Sequence, residues 1–110
     1  MSREIRVLLV DILESIGRIE EYTQSMSEGQ FMRDVRTQDA VIRRLEVIGE
    51  AVRNIQPGFR DRYPDIPWRQ ISGMRDVLIH GYSGVNLERV WMVVKSDLPE
   101  LKLKVSQILE

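Results

Sequence analysis

Apolar residues recur every three to four positions along most of the chain, the spacing that places them on one side of a helix. Ile5, Leu8, Leu9, Ile12, Leu13, Ile16 and Ile19 share one face, and Asp11, Glu14, Arg18 and Glu21 take the other. This predicts a first helix, followed by a polar break from Thr23 to Gln30 that contains Gly29. A second helix is predicted from Phe31 to Ile55, with Val41, Leu45, Ile48, Val52 and Ile55 in one stripe; Pro57-Gly58 stops it. Residues 56–66 read as a loop holding Pro57, Pro64, Arg60 and Arg62. A third helix starts near Pro67, where the missing N–H is harmless in the first turn. Its apolar edge is Trp68, Ile71, Met74 and Leu78, and Gly81 and Gly84 interrupt the pattern. Asn86 can cap a fourth helix with Leu87, Val90, Trp91 and Val94. Asp97 and Pro99 open a fifth with Leu101, Val105 and Ile108. No stretch sustains period-two alternation. The expectation is an all-α, up-and-down bundle of four to five helices, forming a single domain over residues 1–110.

Composition narrows the setting. A chain of 110 residues buries a limited core, so pairing with a copy of itself or with a partner is expected. No run of 18 apolar residues exists to span a membrane. The N-terminal segment carries charges throughout, unlike a secretion signal, which makes the cytoplasm the expected location. The absence of cysteine excludes disulfides and thiolate metal sites. With a net charge of −1 there is no global basic field to draw nucleic acid. Of the 16 cations, however, 13 are Arg, the cation suited to bidentate phosphate or carboxylate contacts.

Candidate chemistry concentrates in Arg75-Asp76-Val77-Leu78-Ile79-His80-Gly81-Tyr82, which holds the single histidine of the chain. Histidine exchanges protons near neutral pH. Arginine holds a phosphate oxygen and stabilises charge that develops on it. Together they suffice, without metal or cofactor, for cleaving RNA: one group takes the 2′-hydroxyl proton, another protonates the leaving oxygen, and the cation steadies the phosphorus. Spacing limits the scheme. Five residues along an α-helix turn through about 500°, leaving Arg75 and His80 about 140° apart, whereas Tyr82 returns to the side of Arg75. Either the helix unwinds before Gly81, or a second subunit completes the site. One histidine per chain for two proton transfers favours a two-fold dimer with both motifs in one cleft. From spacing alone, an ion-pairing Arg75 and a His80 that caps a helix end remain open.

Other features read as structural. Trp68 and Trp91 could stack on bases but fall on helical apolar stripes, so core packing is favoured. Arg60, Arg62 and Arg69 could track an RNA backbone or grip a partner. Asp61 and Asp65 are interspersed with them, though, and a solvated mixed-charge loop is the preferred reading. Glu46 and Glu50 have Arg43 and Arg53 three residues away and read as surface pairs, with no metal site. Arg44 projects toward the apolar side of its helix, and Gly49 at the stripe's edge permits close helix approach.

The motif Arg75-x4-His80-x-Tyr82 resembles the signature of HepT toxins, a branch of the HEPN superfamily of helical RNases. Its context agrees: Ile66-Pro67-Trp68-Arg69-Gln70-Ile71 upstream, Trp91 and Leu98-Pro99 downstream, and Arg44-Leu45-Glu46-Val47-Ile48-Gly49-Glu50-Ala51 earlier. The resemblance covers nearly the whole chain. It implies a HEPN-like bundle that dimerises with the motifs facing each other, and the toxin of a type VII toxin–antitoxin pair acting as a metal-independent endoribonuclease. Arg75 and His80 are then the catalytic pair and Asp76 supports them. Tyr82 is the residue to which a minimal nucleotidyltransferase antitoxin attaches AMP from ATP. The expected partners are RNA, that antitoxin and a second copy of the chain, in a homodimer or a larger hetero-complex. The alternative is a non-catalytic helical subunit that docks the transferase and serves as its substrate.

Overall fold

The computed structural model describes residues 1–74, the backbone of residues 79–80, and residues 84–110. It is an all-α bundle, built as α1 (Arg3–Thr23), α2 (Glu28–Met32), α3 (Val35–Arg53), α4 (Pro57–Arg60), α5 (Trp68–Ser72), α6 (Leu87–Met92) and α7 (Leu98–Leu109). A π-helical stretch, Val93–Asp97, joins the last two. The only pairing of extended backbone among the described residues is an antiparallel hairpin of β1 (Ile79–His80) with β2 (Gly84–Val85).

Helix α1 starts at Ser2, whose hydroxyl accepts the Ile5 N–H at 3.1 Å, and buries Ile5, Leu9, Ile12, Ile16 and Ile19. It packs chiefly on α3, which buries Val41, Leu45, Ile48 and Val52, with Ile55 just beyond its end. Helix α7 closes over α1 with Leu98, Leu101 and Val105. Each fully buried aliphatic side chain contributes about 1.5–3 kcal/mol. The half-exposed Lys102–Glu20 pair between α7 and α1, at 2.9 Å, contributes under about 1 kcal/mol. Packing therefore decides how the helices lie, and the ion pair only trims their register.

Three elements differ from the expected pattern, each for a local reason. The helix predicted from Phe31 is two helices. Ser27 and Gln30 form a reciprocal cap that starts α2 inside the supposed polar break. The Asp34 carboxylate then takes the Thr37 N–H at 3.0 Å and its hydroxyl at 2.7 Å, which starts α3 anew. Those bonds, the backbone one foremost, hold the Asp34 carboxyl below the ordinary carboxylate value. Phe31, on α2, is buried against the Trp91 ring at 5.1 Å, and its carbonyl accepts the Gln38 amide at 2.8 Å. The loop after Ile55 contains the one-turn helix α4, with Pro57 in its first turn. Finally, the fourth and fifth helices are one continuous run. Asn86 caps it through the Arg89 N–H at 3.1 Å, but Asp97 is helical and caps nothing. Pro99 has no N–H to give to the carbonyl four residues back, and its ring crowds that position. The backbone answers with a wider turn, in which Leu98 N–H donates to the Val93 carbonyl.

Both tryptophans are committed to packing, as their stripes predict. Trp68 is buried and its indole N–H donates to the Arg60 and Tyr63 carbonyls. Trp91 is half-buried, with the Lys95 ammonium 4.7 Å above it. Arg62, in the loop before α5, and Arg69, in α5, are exposed, and Arg62 lies 5.9 Å from both the Phe59 and Tyr63 rings. Glu50 pairs with Arg53 at 3.6 Å, and Arg44 is half-buried.

Candidate active site

Chain elements on both sides of the Arg75–Tyr82 segment are well anchored. On the upstream side, α5 is clamped to α3. The Arg53 guanidinium donates to the Ser72 carbonyl at 3.2 Å, and Gly49 lets the two backbones come close. A methyl group at Gly49 would meet the Ile71 carbonyl oxygen at 3.2 Å and that of Ser72 at 3.6 Å. The close approach that Gly49 was expected to permit is therefore present, and it falls at the turn leading into the motif. Gly49→Ala should push α5 off α3 at a cost of about 1–3 kcal/mol, seen as a lower denaturation midpoint. An unchanged midpoint would show that the Ile71–Ser72 backbone yields freely.

Helix α5 ends at Ser72, with Gly73 as its cap donating to the Arg69 and Ile71 carbonyls. Met74 is buried and helical. Downstream, Ile79 pairs with Val85 and His80 with Gly84. Gly84 has φ +86, a backbone region that side chains disfavour and glycine enters freely. Two residues later the Asn86 cap starts α6.

The backbone at His80 is thus extended. It is neither the continuation of a regular helix nor a helix C-terminus, so the 140° divergence calculated for an unbroken helix does not apply. Arg75, Asp76 and Tyr82 lie outside the described residues, as do Leu78 and the side chain of His80. One cluster of polar residues near the motif escaped the sequence reading. A groove of about 320 Å³ runs between α5 and the π-helical stretch, lined by Gln70, Ile71, Met74, Arg89, Val93 and Asp97 among others. The signal for it, Arg89 and Asp97 flanking an apolar Val93 at intervals of four, was present but reads as ordinary helix amphipathicity.

Comparison with known proteins is consistent with this architecture. The ribonuclease HepT-like family matches residues 12–108, and the chain belongs to it. It is 47% identical over 110 residues to a protein of Methanocaldococcus jannaschii named "Gamma-glutamylcyclotransferase and putative RNase MJ0434"; the whole chain aligns, but it spans half of that relative's length. It is 46% identical over 108 residues to the "Probable ribonuclease HepT" of Thermococcus cleftensis, with 98% of each chain covered. A third relative, "Putative RNase MJ0127" of M. jannaschii, is 41% identical over 109 residues, covering 99% of this chain and 90% of its own. No solved structure matches the chain significantly. Among the described residues no helix is long and apolar enough to cross a membrane.

Proposed function

We propose that the chain is a metal-independent endoribonuclease, the toxin of a type VII toxin–antitoxin pair, working as a homodimer through Arg75 and His80. Membership of the HepT-like family supports the ribonuclease class. The observation that carries the site assignment is the extended backbone at His80, which breaks the helical register separating it from Arg75.

The chemistry is an internal transfer followed by release. The 2′-oxygen of the RNA attacks the adjacent phosphorus while the His80 imidazole takes its proton. The bond from phosphorus to the 5′-oxygen breaks, and the protonated imidazole of the partner subunit's His80 gives that oxygen a proton. The products are a 2′,3′-cyclic phosphate and a free 5′-hydroxyl. Arg75 donates to the non-bridging oxygens, where negative charge is greatest at the crowded phosphorus. Asp76 orients the pair. The same chemistry explains the choice of Tyr82 as a control point. Its phenol attacks the α-phosphorus of ATP on the antitoxin, pyrophosphate leaves, and the attached AMP places an anion where the RNA phosphate would bind.

Expression without an antitoxin should arrest growth of the host, and Arg75→Ala or His80→Ala should restore it with the protein still folded and abundant. Full arrest by both variants would overturn the assignment.

A further inference from the structure

In the groove beside the motif the Lys104 ammonium bonds the Asp65 carbonyl at 2.7 Å and the Glu100 carboxylate at 3.1 Å, so these groups are occupied with one another. Met74 and Arg89 line the same groove, from the end of the α5 segment and the start of α6. Arg75 directly follows Met74 in the chain, so the groove borders the motif. The floor is apolar, formed by Ile71, Met74, Val93 and Leu98, all buried. Asp97 also lines the groove, eight residues after Arg89 along the helical run. Asp97 is exposed and makes no helix cap, and its carboxylate has no hydrogen-bond or ion-pair partner among the described residues.

We infer that this groove binds one base of the RNA beside the cleaved bond, with Arg89 on the flanking phosphate and Asp97 reading an exocyclic amino group. The identification of the ligand as RNA rests on the ribonuclease reading above. The volume, about 320 Å³, is at the small end for ligand pockets and suits a nucleoside better than a protein segment. Unstacked bases of single-stranded RNA are recognised by apolar faces and by hydrogen bonds to their edges. A carboxylate accepts from the cytosine amino group, whereas uracil offers an oxygen at that place, which the carboxylate repels. The arrangement therefore favours cytidine over uridine. The groove's own charges, Arg89 and Lys104 against Asp65, Asp97 and Glu100, do not attract a polyanion as a whole. The phosphate contact falls to Arg89, and the carboxylates select the base.

Fluorescent, non-cleavable 2′-O-methyl hexamers of cytidine and of uridine, titrated by anisotropy, test the assignment. The intact protein should bind the cytidine hexamer about tenfold more tightly. Asp97→Ala should abolish that difference. Arg89→Ala should weaken both hexamers equally and lower the salt dependence by about one phosphate contact. Thermal melts of both variants matching the parent would show that the fold is kept. Equal affinity for the two hexamers in the intact protein, or a preference that survives Asp97→Ala, overturns the inference. Cleavable RNA run in parallel separates this from the broader reading. Cleavage with no base preference removes the groove and leaves the ribonuclease, while a cytidine preference without cleavage removes the ribonuclease and leaves a nucleotide-binding groove.

Discussion

Replacing His80 by Ala is expected to slow RNA cleavage by about 10²–10⁴-fold, the range for losing a positioned general acid–base. His80 is the only histidine in the chain, so no neighbouring imidazole can take over. Arg75→Ala is expected to cost about 10²–10³-fold, as for removal of a charge-stabilising donor at a transition state. The two losses should differ in their pH dependence. Without Arg75 the rate should still follow titration of the histidine; without His80 that dependence on pH should vanish. Single-turnover rates from pH 5 to 9 on one RNA would show both effects. A His80→Ala enzyme that keeps the parental rate and profile would remove the imidazole from the chemistry.

The second large effect is expected from Tyr82. Incubation with ATP and the nucleotidyltransferase should add whole AMP units to this residue, visible by intact mass and peptide mapping, and bring cleavage to background. Tyr82→Phe should resist the modification and stay active in its presence, since only the phenolic oxygen is lost. Physically, the block would need no change of fold: a bulky anion held beside Arg75 and His80 would exclude another phosphate by charge and by volume. If the modified protein cleaves RNA as fast as the unmodified one, AMP is not the off-switch. If the unmodified protein is inert while AMP is still transferred, the chain is a docking subunit and substrate of the transferase instead.

The larger helices were legible because their cores are periodic. The stripe from Ile5 to Ile19 and the one from Val41 to Ile55 end up buried almost residue for residue, and Asn86 caps a helix as its side chain suggests. What escaped was decided by local competition that periodicity does not register. Asp34 interrupts an apolar pattern that continues on both sides of it, because one carboxylate taking two Thr37 donors is enough to restart a helix. Pro99 reads as the opening of a new helix, yet a single widened turn absorbs it and the chain runs on. The hairpin at Ile79–Val85 is too short to show alternation, and its register is visible only once Gly84 adopts its positive φ.

The candidate site was legible in a different way. Arg75, Asp76, His80 and Tyr82 stand out by residue type and by resemblance; helical spacing joins Arg75 with Tyr82 but not with His80. The helical arithmetic argued against Arg75 and His80 meeting; the extended backbone at His80 withdraws that objection. The groove with Arg89 and Asp97 could not be found along the sequence. It exists only because α5 and the C-terminal run, separated in sequence by the motif itself, line the two sides of one groove.

In the proposed reaction the 2′-oxygen attacks, and side chains alone drive it. Its most direct test is the chemistry of the cut ends after incubating purified, unmodified protein with RNA in excess EDTA. Cleavage should proceed at an undiminished rate, leaving 2′,3′-cyclic phosphates and 5′-hydroxyls, with almost none from His80→Ala. Loss of cleavage in EDTA, or 5′-phosphate and 3′-hydroxyl ends, would instead mean that a metal-bound water does the work, and would contradict the proposed reaction.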